Sequence, residues 1–187
     1  MQVWPTAIRT PALHSTADLL FIIAHSHSIY GRTWCSLGRK IDTITQDACA
    51  FHDDHVVYDS FNGVVLAEKE GKDIAKALGN KKAALLQNHG LLTTGRTVEE
   101  VSMGAIQALL HTDQFQAVFW FVSLEKCCHS QLMAEAAAAS RGQTPIVIPQ
   151  EEASYTYRTI GSPTAGWFSA KPLFDVIHKE TAGDYLQ

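Results

Sequence analysis

Two short apolar runs each end in histidine, and this pattern constrains the chain more than any other feature. Leu19-Leu20-Phe21-Ile22-Ile23-Ala24 is apolar and partly β-branched, as a buried strand is, and leads straight into His25-Ser26-His27. Ala83-Ala84-Leu85-Leu86 is a second such run and delivers Gln87-Asn88-His89-Gly90. Successive side chains on a strand point to opposite faces, so His25 and His27 project from the same side, close enough to share one metal ion. His89 is well placed to be a third ligand, because it ends the second run and Gly90 lets the backbone turn tightly beside an ion; taken alone, a His-x-His pair reads more readily as satisfied or exposed histidines. Three neutral imidazoles leave one position open on a divalent metal such as zinc, the arrangement of a catalytic rather than a structural site.

The rest of the chain gives weaker signals. Ser28 to Leu37 reads as a short helix closed by Gly38, and Ile74, Ala75 and Leu78 mark another that stops at Gly79-Asn80. Ile41 to Ala50 and Val56-Val57-Tyr58 carry weak strand signals, and Pro145 to Pro149 bracket an apolar strand, Ile146-Val147-Ile148. Thr97-Val98-Glu99-Glu100 has the form of a capping box. The helix it announces runs to about Ala139, far beyond the ~10–14 residues of an average helix. Gly161-Ser162-Pro163 and Gly166-Trp167-Phe168 read as loops before a short helix around Leu173 to His178.

Composition narrows the function. The chain has 187 residues, 46% of them hydrophobic, which suits one domain with its own core. Fifteen basic against nineteen acidic residues give a net charge of -4 with no basic stripe, so nucleic acid is not an expected partner. The longest apolar run falls far short of the roughly 20 residues that span a bilayer, and no secretory signal is present, so the expected location is cytoplasmic and no membrane is expected as a partner. Cys35, Cys49, Cys127 and Cys128 lack C-x-x-C spacing and read as buried thiols. His52 and His55, framing two aspartates, offer a rival metal site with mixed nitrogen and oxygen ligands, but a solvated acidic turn is the expectation there. His129 receives no role. No Gly-x-Ser-x-Gly elbow, Walker loop or dinucleotide fingerprint occurs.

Ala24-His25-Ser26-His27-Ser28 and Leu85-Leu86-Gln87-Asn88-His89-Gly90-Leu91-Leu92, in that order, resemble the class II aldolase/adducin family, and in particular its fuculose-phosphate aldolases. Phe119-Trp120-Phe121, Leu124-Glu125 and Gln131-Leu132-Met133-Ala134-Glu135-Ala136 resemble the helix that follows the His-Gly motif in fungal members. The likeness covers roughly residues 24–100 and 117–187. It implies an α/β fold, a three-layer α/β/α domain, in which His25, His27 and His89 bind Zn2+ or another divalent metal. It also implies a homo-oligomer, usually a tetramer, and a small carbonyl compound or sugar phosphate as substrate. In such aldolases the metal stabilises the enediolate formed on carbon–carbon cleavage. The rival that the same likeness allows is a non-catalytic, adducin-like protein bound to the actin cytoskeleton.

Departures from the family pattern are specific. The carboxylate expected about twenty residues before His25 is replaced by the neighbourhood of Pro5-Thr6-Ala7, the only acid before His25 is Asp18, and Gln46 stands near the position of a tyrosine that some members use. No general acid or base is therefore assigned, and the catalytic residues stay unknown. Residues 1–23 read as an atypical N-terminal segment, and 24–187 as the family domain. Val101 to Gln116 read as an insert, for which a retained in-frame intron is one origin. Sixteen added residues would rotate everything downstream by roughly 160° in a continuous helix.

Overall fold

The computed structural model describes residues 2–4, 22–60, 68–95 and 106–184. A five-stranded sheet forms the centre, built from β1 (Gln2–Trp4), β2 (Ile22–Ser26), β3 (His55–Tyr58), β4 (Ala83–Leu86) and β5 (Gly90–Gly95). Its spatial order is β1-β2-β5-β4-β3, antiparallel at every pairing except the parallel β3/β4 edge. The helices are α1 (Ile29–Cys35), α2 (Glu68–Leu78), α3 (Ile106–Ala139), α4 (Gln150–Ile160) and α5 (Pro163–Thr181), with a 3-10 turn at Asp47–Phe51.

Strand periodicity divides the core in two. Ala24, Leu85 and Leu91 face one side and pack with Trp34, Cys35, Phe51, Trp120, Leu124 and Cys128 from α1, the 3-10 turn and α3. Their sequence neighbours Ile23, Ala84, Leu86 and Leu92 face the other side and pack with Ile74 and Leu78 of α2. Burial of both faces explains why the strands read as continuous apolar runs rather than alternating ones. The result is the expected α/β architecture, a mixed sheet with helices on both faces.

Three expectations need correction. Ile41 to Ala50 is not a strand: the Thr45 hydroxyl accepts the Ala48 N–H at 3.2 Å and opens the 3-10 turn instead. Ile146-Val147-Ile148 is not a regular strand either, because its contact is with a second irregular segment, the Ile148 N–H donating to the Thr43 carbonyl at 2.8 Å. The tail is far more helical than its glycines and prolines suggest. Gly161 ends α4, and Ser162 caps α5 by accepting the Ala165 N–H at 3.1 Å. Pro163 sits in the first turn, where its missing N–H costs nothing. Gly166 is required where α5 meets α3, since a Cβ there would stand 2.4 Å from the Trp120 ring.

The capping box at Thr97 to Glu100 lies outside the described residues. α3 itself is continuous from Ile106 through the proposed insert boundary at Gln116 and Ala117. Both of those residues are buried, and the Ala117 carbonyl accepts the Thr93 hydroxyl at 2.8 Å. Among the described residues no helix is long and apolar enough to cross a membrane.

Candidate metal centre

The β2/β5 pairing and the β4–β5 hairpin bring the two histidine motifs together. His25 is still in β2, opposite Leu92, whereas His27 lies just beyond the strand, after Ser26 pairs with Leu91. The hairpin closes with Leu86 opposite Gly90, so Gln87, Asn88 and His89 form its loop. Asn88 takes a left-handed conformation (φ +56°), which asparagine tolerates better than most residues. The His89 N–H donates back to the Leu86 carbonyl at 3.0 Å and tightens the turn. Gly90 is needed for close approach: a Cβ there would lie 2.6 Å from the Ser26 carbonyl oxygen and 3.3 Å from the His27 ring.

The outcome is a three-imidazole cluster whose potential ligand atoms all lie within 4.8 Å of one another. Ring centroids are 5.3 Å apart for His25 and His27, 4.9 Å for His25 and His89, and 4.6 Å for His27 and His89. His25 Nδ1 is 2.8 Å from the Leu91 carbonyl oxygen, which can only accept. The proton therefore sits on Nδ1 and the lone pair on Nε2 is free, the usual outer support of a metal-binding imidazole. Burial foremost holds His25 below its ordinary pKa, against the pull of the Leu91 carbonyl and with help from His89 and His27. Burial, then His27, does the same to His89. Both rings are thus neutral near pH 7, with lone pairs to give. His27 is exposed while the other two are half-buried, so the cluster opens to solvent on the His27 side.

The rival group does not assemble. His52 and His55 join no metal-type cluster among the described residues, and the segment is not a solvated acidic turn either. Asp54 is buried against Lys82 at 3.3 Å and accepts the Tyr157 hydroxyl at 2.6 Å. His55 is also buried and its Nδ1 donates to the Phe51 carbonyl at 2.7 Å. A cleft of about 310 Å³ opens beside His52, Asp53, Lys81, Ser154 and Arg158. Ser154 Oγ and Asp53 Oδ2 both meet His52 at Nε2, at 3.1 and 3.5 Å, so the three do not form a serine–histidine–aspartate relay, which uses both ring nitrogens.

The four cysteines are buried free thiols, as expected. Burial pushes Cys35 and Cys127 up to about 12 and raises Cys49 and Cys128 as well, which keeps all four protonated and inert.

Sequence reasoning missed Glu125 and His129 on α3. The Glu125 carboxylate accepts the Ser28 hydroxyl (2.5 Å) and the N–H groups of Tyr30 (3.0 Å) and Gly31 (2.6 Å) at the start of α1. One turn further on, His129 stacks on Tyr30 with ring centroids 3.6 Å apart. No local pattern could reveal contacts made across nearly a hundred residues.

Known proteins supply an independent comparison. The sequence profile described as Class II Aldolase and Adducin N-terminal domain matches residues 12–109, over half of the chain. Decarboxylase NovR of Streptomyces niveus is 42% identical over 163 residues, 87% of this chain and 53% of that protein. A protein of Streptomyces roseochromogenus subsp. oscitans named 4-hydroxy-3-prenylphenylpyruvate oxygenase/4-hydroxy-3-prenylbenzoate synthase is 41% identical over 163 residues, 87% of this chain and 51% of its own length. Among solved structures, L-fuculose 1-phosphate aldolase from Glaciozyma antarctica PI12 superposes with a TM-score of 0.69 at 36% identity, covering 89% of this chain and 55% of that one. The chain spans about half the length of the curated relatives it matches. Profile, sequence relatives and fold agree with the paired histidine motifs: the chain belongs to the class II aldolase and adducin family.

Proposed function

We propose that this chain carries the metal centre of a class II aldolase-type enzyme that breaks or rearranges bonds next to a carbonyl in a small hydroxylated or 2-oxo compound, a sugar phosphate being one such substrate. The convergence of His25, His27 and His89 carries the reading. The donor set fits a divalent ion: three nitrogen ligands, two of them held neutral and one with its tautomer fixed, suit zinc or a neighbouring transition metal. When bound, such an ion supplies Lewis-acid polarisation of a carbonyl oxygen. The chain's own residues do the holding. The Leu91 carbonyl orients His25, the hairpin fixes His89, and Gly90 leaves room for the His27 ring.

Relatives named as a decarboxylase and as an aldolase support chemistry at a carbon–carbon bond beside a carbonyl, and the phenylpyruvate in another name supports a 2-oxo acid as one substrate class. Among the described residues no carboxylate joins the three histidines, so proton transfer falls to groups outside that cluster. Exposed Ile29, Leu37, Met133 and Phe168 support a homo-oligomer. Protein loaded with Zn2+ or Co2+, offered L-fuculose 1-phosphate with aldehyde trapping and an aromatic 2-oxo acid with CO2 detection, tests the reading. Metal-dependent release of either product is expected, with loss in a His25→Ala/His27→Ala variant. Stoichiometric metal with neither product above the buffer rate would overturn the catalytic reading.

A further inference from the structure

We propose that Glu125 is the positioning residue of the His27 ligand, acting from α3 by capping the helix that begins two residues after it; this rests on the metal reading above. α1 starts at Ile29 with Ser28 at its N-cap, yet the Ser28 side chain makes no cap hydrogen bond of its own. Its hydroxyl is drawn instead to Glu125, and the same carboxylate takes the free N–H groups of Tyr30 and Gly31. The first-turn donors that a local cap would satisfy are thus satisfied by a carboxylate from a helix 94–97 residues away in sequence. A negative charge at that end of the helix is also favoured by its dipole.

The consequence falls on His27. His25 is held within β2 by its pairing with Leu92 and by its ring hydrogen bond to Leu91. His89 is held in the hairpin loop. His27 lies outside the sheet, and no hydrogen bond holds its ring among the described residues. Its backbone is fixed on one side by Ser26, the last strand residue, and on the other by Ser28, whose place Glu125 sets. Gly31, also held by Glu125, packs so tightly on Leu91 that a Cβ would stand 2.4 Å from Leu91 Cγ. Leu91 is in turn the residue whose carbonyl orients His25. One carboxylate therefore ties the exposed His27 and, through Gly31 and Leu91, the half-buried His25 to the same helix. All three of its hydrogen bonds are committed to this clamp, so it is assigned no part in proton transfer.

Metal affinity of the full chain, read by competition between Co2+ and a chromophoric chelator, separates this role from a general contribution to folding. Glu125→Ala is expected to weaken binding about 10- to 100-fold, the range typical of lost outer support at a metal site. It should also alter the visible Co2+ spectrum, while Glu125→Gln, which keeps an acceptor oxygen, recovers part of both. Gln131→Ala is the control: Gln131 lies on the same helix but holds Asp42, in the irregular segment beyond α1, through the N–H and carboxylate of Asp42. That variant should lose thermal stability yet keep the wild-type affinity and spectrum. Equal affinity and spectrum in Glu125→Ala and wild type would overturn the role of Glu125 and leave the metal centre standing. Failure of the wild type to bind Co2+ would overturn the metal reading and this inference with it.

Discussion

His55 shows how one buried side chain makes the fold sensitive to acid. Its Nδ1 is paired with the Phe51 carbonyl, its Nε2 is buried with no hydrogen-bond partner among the described residues, and burial foremost lowers its pKa from the ordinary 6.5. The unfolded chain therefore takes up a proton just below pH 6.5 that the folded chain refuses. Stability is full above that value, falls as pH drops through the window beneath it, and levels off below the folded pKa. Urea unfolding in the presence of a chelator, from pH 5 to 8, should show a shallower acid loss in His55→Leu, with His25 and His89, also lowered by burial, supplying the remainder. An unchanged pH slope in the variant would contradict the assignment. The residue's fate could not be read from the sequence, because His52-Asp53-Asp54-His55 is polar throughout, and only the return of β4 and α4 over it covers Asp54 and His55. The histidines of the candidate metal centre were legible for the opposite reason: apolar runs deliver them, and strand alternation limits where they can point.

At the scale of elements, Lys82 joins pieces distant in sequence. It lies just before β4, and its ammonium donates to the carbonyls of Ala50 and Gly161 and pairs with Asp54. It also stands 4.0 Å from the centre of the Trp120 ring, within reach of a cation–π interaction. The 3-10 turn, the α4–α5 junction, α3 and β4 thus meet on one buried cation. Lys82→Met keeps the stem but leaves the buried Asp54 carboxylate without its counter-charge, and is expected to cost about 3–5 kcal/mol in urea unfolding. A loss below about 1 kcal/mol would show that the cluster contributes little. β2, β4, α1 and α2 carry their own periodicity and stop signals, whereas α4 carries no signal that was read and the first turns of α5, ahead of the helix expected around Leu173 to His178, look like loops until Gly161 is recognised as a helix end and Pro163 as a helix start. Thr45 to Phe51 follow a local turn in which the Thr45 hydroxyl takes the Ala48 N–H, and this outweighs the weak strand pattern around it.

Across the whole molecule, a two-faced sheet holds the histidines at the meeting point of β2 and the β4–β5 hairpin, and α3 braces the segment that follows. The long reach of α3 lets one helix contact β2, α1 and α5 in turn, with Gln131 and Glu135 gripping Asp42 and Arg39 beyond the Glu125 clamp. Family membership was legible because both histidine motifs survive in order; the bracing was not, because each contact spans about half of the chain. In the function proposed above, His25, His27 and His89 together hold one divalent ion. Elemental analysis of protein purified without chelator, wild type beside His25→Ala/His27→Ala, tests it most directly. The prediction is close to one equivalent of a divalent transition metal per wild-type chain and essentially none in the double variant; equal metal content in the two proteins would contradict it.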